Sequence, residues 1–144
     1  MDRILEPIEH VALQYNWLIT DIECNHYPDN RIEWKQEYAW LSGEDLLQLV
    51  KTHDIQFIWA VFSAIPPNIP LEVVLQSNLP YACDYKGFWQ NPVGIQHPLA
   101  DIEIVPWDSS FVLFIAKDQN LADTFVSHFS LANDLEKYNE KPCV

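Results

Sequence analysis

The chain is poor in the residues that most enzyme signatures need. Only 3 of its 144 residues are glycine, so neither a G-x-G-x-x-G turn nor a Walker loop is present, and phosphate binding through a glycine-rich cradle is excluded. Its 3 cysteines, Cys24, Cys83 and Cys143, form no C-x-x-C pair and are odd in number. That suits reduced thiols rather than a disulfide framework or a paired zinc site. Basic residues are scarce, with 8 Lys and Arg against 21 Asp and Glu and a formal net charge of -13. Such a surface repels phosphate, which argues against nucleic acid and anionic membrane as partners. No apolar run approaches the ~20 residues that span a bilayer, and the start, with Asp2, Arg3 and Glu6 among isolated apolar residues, lacks the apolar core of a signal peptide. A cytoplasmic protein is expected.

What is present is a core. Hydrophobic residues make up 49% of the chain and aromatic ones 13%, including 6 Trp, 6 Tyr and 7 Phe, enough for one domain over 1–144 without metal or disulfide support. Ile4, Leu5, Ile8, Val11 and Ala12 recur at helical spacing. Residues 17–24 alternate, with Leu18, Thr20, Ile22 and Cys24 on one side and Asp21 and Glu23 on the other, as in a half-buried strand. A polar loop containing Pro28-Asp29-Asn30 and a short strand over 37–41 follow. Ser42-Gly43-Glu44-Asp45 has the chemistry of a helix start. The nearly unbroken apolar run 55–62 reads as the central strand, and 71–76 as a further strand. The stretch 77–100, rich in proline and carrying Tyr81, Tyr85, Phe88 and Trp89, reads as loop-rich with one short strand. Two strands flank the turn Trp107-Asp108-Ser109-Ser110, and Asp118 opens a last helix with an apolar stripe at Leu121, Ala122, Phe125, Val126 and Phe129. Residues 133–144 are polar and expected to fray. The fold class expected is α+β: one mostly antiparallel or mixed sheet of about five or six strands, with helices near 6–14, 42–53 and 118–130 packed mainly on one face.

Chemistry-bearing clusters are sparse. Cys24-Asn25-His26 beside Asp21, Glu23 and Asp29 is the nearest approach to a metal set, but it matches no zinc spacing, and neither a metal nor another cofactor is expected. Ser109 and Ser110 could serve as nucleophiles only with a distant base such as His97 or His128, and no G-x-S-x-G elbow exists. Backbone hydrogen bonding in a turn accounts for them more simply. The acids near the first loop suggest instead a recognition surface, with Asp21, Glu23, Asp29, Glu33, Glu37, Glu44 and Asp45 as contacts and Trp34 and Trp40 as anchors.

The segment from Ile102 through Trp107-Asp108-Ser109-Ser110 to Asp118, followed by a helix ending His128-Phe129, resembles the C-terminal strand, WDSS turn, strand and helix of small uncharacterised bacterial proteins, several of them associated with toxin-immunity loci. The resemblance implies a non-enzymatic inhibitor that binds a cognate toxin, and an acidic surface with exposed aromatics is what blocking a basic cleft requires. Two rival expectations stand beside it. One is a small enzyme using Cys24 and His26 or the Asp108-Ser109 turn, which needs side chains converging in a closed pocket. The other is a subunit of a homo-oligomer, which an apolar patch would mark.

Overall fold

The apolar spacing at the start of the chain folds as a broken helical run. The computed structural model describes residues 1–27 and 37–141. In it α1, Asp2–Leu5, passes through a 3-10 turn at Glu6–Ile8 into α2, Glu9–Ala12. Pro7 sits at the start of the 3-10 turn, where a missing N–H costs little. Helical backbone therefore begins earlier than the expected 6–14.

Among the described residues five strands follow the alternating and apolar runs: β1 Asn16–Tyr27, β2 Tyr38–Ser42, β3 Asp54–Ile65, β4 Ile102–Trp107 and β5 Phe111–Ala116. They form one sheet in the order β2-β1-β3-β4-β5, antiparallel throughout. The expected α+β class with a single sheet is the observed one. In β1 the strict alternation fails at Asp21, whose φ is 51°. The pairing with β3 steps there from Thr20↔Val61 to Glu23↔Trp59, so β1 carries one extra residue, a β-bulge. Beyond it the faces exchange: Trp17, Ile19, Ile22 and Cys24 join one core, while Leu18 joins another. Ile22 and Cys24 thus do not share the face of Leu18 and Thr20.

One face of the sheet is covered by helices. The helix α3, Gly43–Thr52, is capped by Ser42, whose Oγ accepts from the Asp45 N–H at 3.1 Å. Gly43 is obligatory there, since a Cβ would stand 2.1 Å from the Ala12 carbonyl oxygen. Asp118 caps α5, Gln119–His128, through the Asn120 N–H at 2.9 Å. Leu5, Ile8, Leu46, Val50 and Phe125 from these helices pack on Trp17, Ile19, Phe62 and Ile104 of the sheet.

The opposite face is covered by the proline-rich stretch. Phe88 and Ala82 pack on Val61, Val105 and Leu113, and Val74 and Ala100 on Leu18 and Ile65. Three expectations are corrected here: residues 77–100 carry the 3-10 turn Lys86–Trp89 and no strand, Pro80, Pro92 and Pro98 having no N–H to give to a ladder. Residues Leu71–Val74 form a helical turn, α4, rather than a strand: Pro70 sets an extended entry (ψ 154°), and its carbonyl then accepts from Val73 and Val74. The tail expected to fray over 133–144 carries α6, Leu135–Asn139. Asp134 caps it at Lys137 N, and it is tied down by Asn139 Nδ2 donating to the Phe88 carbonyl at 3.0 Å and by Asn91 Nδ2 donating to the Glu136 carbonyl at 2.9 Å. Residues 142–144 lie outside the described residues.

Candidate functional site: an apolar groove at the β5 edge

Among the described residues, the acids favoured by sequence clustering fall into two groups at opposite ends of β2. Asp29, Glu33 and Trp34 lie outside the described residues. Asp21 is only partly exposed, and its Oδ2 accepts from the backbone N–H groups of Ala82 at 2.7 Å and Cys83 at 2.8 Å. It therefore fastens the covering segment to the β1 bulge. Trp40 is half-buried against the Leu18 and Ile65 core rather than free as an anchor. Glu23 and Glu37 are exposed near Asp21, whereas Glu44 and Asp45 lie past the far end of β2. The five residues Tyr38–Ser42 separate the two groups, a strand length of about 17 Å at ~3.3 Å per residue. Beside Asp21 there is a shallow hollow of about 360 Å³ lined by Thr20, Glu37, Leu79, Pro80 and Tyr81. The Thr20 hydroxyl is buried there without a hydrogen-bond partner among the described residues.

Among the described residues, one cluster has the residue types of a nucleophile, a base and an acid. Ser63, His97 and Glu103 are fully buried neighbours. Glu103 accepts from Gln96 N at 2.8 Å, His97 N at 2.9 Å and Ser63 Oγ at 3.2 Å, which pins the covering segment to β3 and β4. Burial pushes its carboxyl above the ordinary range, opposed by those same three donors. The His97 ring bonds to neither side chain. Its Nε2 lies 3.1 Å from the Val74 carbonyl and its Nδ1 accepts from Leu99 N at 3.2 Å, so it is a neutral ring donating through Nε2. Burial lowers its pKa, with the Val74 carbonyl acting the other way. With both ring nitrogens taken by backbone, His97 is not placed to activate Ser63. In sequence Asp101 and Glu103 alternate with Ile102 and Ile104, the pattern of a strand with one polar face; the signal that this face is covered is the aromatic content of 81–89, which itself needs a sheet face to pack on.

Cys83 is exposed, and desolvation together with the carboxylates of Asp84 and Asp21 raises its thiol pKa, the reverse of nucleophile activation. Cys24 is half-buried against the helical-face core. The side chain of His26 lies outside the described residues. Among the described residues no group of three or more His, Cys, Asp or Glu converges as a metal set would. None of their helices is long and apolar enough to cross a membrane.

The WDSS turn is structural in its bonding. Asp108 and Ser109 have φ 47° and 57°, the signs of a type I′ hairpin turn. Ser110 N donates to the Trp107 carbonyl at 3.0 Å, Ser110 Oγ to the Asp108 carbonyl at 3.1 Å, and Ser109 N to the Ile58 carbonyl at 3.2 Å. Trp107 packs edge-on against Trp59 at 4.8 Å and Trp89 at 5.0 Å.

What this hairpin positions is a groove. β5 ends the sheet, and its sequence Phe-Val-Leu-Phe-Ile-Ala contains no charge and no proline to discourage further pairing. Beside it α5, the 131–134 connection and α6 enclose a cleft of about 560 Å³, lined by Phe111, Val112, Phe114, Val126, Leu131 and Tyr138 among others. Phe111 (52%), Val126 (48%), Leu131 (89%) and Tyr138 (45%) remain exposed. Trp89 approaches Phe111 at 6.5 Å and Tyr138 at 6.0 Å, joining the groove to the aromatic cluster beneath. Asp123 and Asp134 are the charged residues of its lining. Exposed apolar surface beside an edge strand is the kind of surface at which proteins bind partners or self-associate, which makes this groove the candidate site.

Comparison with known proteins finds no matching family model, no matching curated protein and no matching solved structure.

Proposed function

We propose that this protein is a non-enzymatic protein-binding module that holds a basic partner through the β5 groove, acting as an immunity-type neutraliser of a cognate toxin. The observation that carries the reading is the groove itself: an apolar cleft beside an open sheet edge, with Asp123 and Asp134 in its wall, on a chain of net charge -13. Apolar and aromatic groups at the centre supply binding energy, while the excess negative charge speeds encounter with a cationic partner and disfavours anionic ones. The buried Ser63, His97 and Glu103, each engaged in structural hydrogen bonds, lend no support to the enzyme reading.

The test is co-expression with the product of the adjoining gene. A complex that weakens as salt rises, and is lost in Val126→Arg, supports the proposal. Failure to form a complex with that product overturns the immunity assignment. A second reading, self-association, draws on the same apolar edge. Gel filtration of the isolated chain decides it: a monomer supports the partner-binding reading and a stable dimer the oligomer.

A further inference from the structure

Resting on the protein-binding reading above, we infer that the groove takes an extended segment of the partner, apolar residues alternating with Lys or Arg, as a sixth strand on β5. The backbone of β5 specifies a strand. In the β4·β5 ladder Val112 faces Pro106, which has no N–H to give, and Lys117 N donates to the Asp101 carbonyl at 3.0 Å. Antiparallel pairs alternate between bonded and non-bonded, so residues 111, 113 and 115 direct their N–H and C=O groups at β4. Those of Val112, Phe114 and Ala116 point away from β4, and the groove lies along the first two of them. A side chain or small molecule would leave that row of donors and acceptors unmatched, whereas an added strand pairs with it.

The walls specify the side chains. One is built by Val126 of α5 and the other by Tyr138 of α6 with Trp89 behind it, so an incoming strand would find apolar surface on both of its faces. Charge specifies the remainder. Asp123 and Asp134 line the cleft, the nearby cation Lys137 lies 4.0 Å from Asp134, and Lys117 is paired with Asp101 at 3.3 Å. A second copy of this chain would bring another charge of -13 to the same edge, which sets it behind a cationic strand.

The experiment titrates the isotope-labelled full chain with three soluble peptides while following backbone amide resonances. They are an alternating Lys-Val heptapeptide, the same peptide N-methylated at every residue, and its Glu-Val counterpart. The proposal expects the first to shift Val112, Phe114 and Ala116 and to slow their exchange with solvent, and the other two to bind at least about tenfold more weakly. Val112→Pro removes one outward donor without touching a bond to β4, and should keep the β4·β5 resonances while weakening the Lys-Val peptide to a similar degree. Groove binding that survives both N-methylation and Val112→Pro overturns strand addition yet leaves the binding module standing. Absence of any shift in β5, or concentration-dependent changes at β5 without peptide, also overturns strand addition. The co-expression result then decides the broader reading separately.

Discussion

The bulge at Asp21 and the edge at β5 are two places where this sheet departs from a regular covered surface, and they depart in opposite ways. At the bulge a carboxylate that would otherwise advertise a binding site is consumed by two backbone N–H groups of the same chain. At β5 a row of backbone groups and a set of apolar side chains are left with no partner strand among the described residues. The contrast separates residues committed to holding the fold from residues available to something else. Net charge and clustering along the chain point to the first place; the distribution of unused bonding capacity points to the second.

Committed residues should cost stability when removed, in proportion to what they satisfy. The largest effect expected is at Glu103. Glu103→Ala leaves two buried N–H groups and a hydroxyl without their acceptor, a loss of about 3 kcal/mol in urea unfolding. Asp21→Ala removes two charge-assisted bonds and places alanine at φ 51°, for a loss of about 2 kcal/mol. Ser42→Ala deletes the α3 cap and should cost about 1 kcal/mol. Val126→Arg, on an exposed helix face in the groove, should change stability by less than about 0.5 kcal/mol. A large loss at Val126, or none at Asp21, would break the distinction.

The pH dependence of the covering segment sharpens the same point. The folded pKa of His97 lies below its ordinary 6.5, so the unfolded chain takes up the proton first. Stability due to the neutral ring is complete above pH 6.5 and falls as pH drops through the window beneath it. Glu103 has the opposite sign, since its folded pKa lies above the ordinary 4.5. Its contribution is full below 4.5 and is lost as pH rises through the raised folded value. Subtracting the stability of His97→Gln from that of the parent at each pH isolates the first effect. The difference should shrink on acidification below pH 6.5, and a pH-independent difference would contradict the assignment.

Much of this architecture is legible in local chemistry. Ser42 and Asp118 mark their helices because a cap is a short-range device, and Trp107-Asp108-Ser109-Ser110 marks its hairpin for the same reason. The faces of β1 beyond Thr20 are not legible, because a bulge inverts alternation without changing the apolar pattern. Nor is the helical turn at Leu71–Val74, where Val73 and Val74 favour a strand and Pro70 with its following bonds overrides them. The groove is hardest of all. Phe111, Val126 and Tyr138 each look like ordinary core or tail residues in sequence, and only the path of α5 and α6 around the β5 edge brings them together uncovered.

Amide hydrogen exchange along β5 of the free protein tests the central claim most directly. An open edge predicts alternation: Leu113 and Ile115, bonded to β4, exchange slowly, while Val112, Phe114 and Ala116 exchange orders of magnitude faster. Uniform protection across all five amides would mean that the edge is already covered, and would contradict the account.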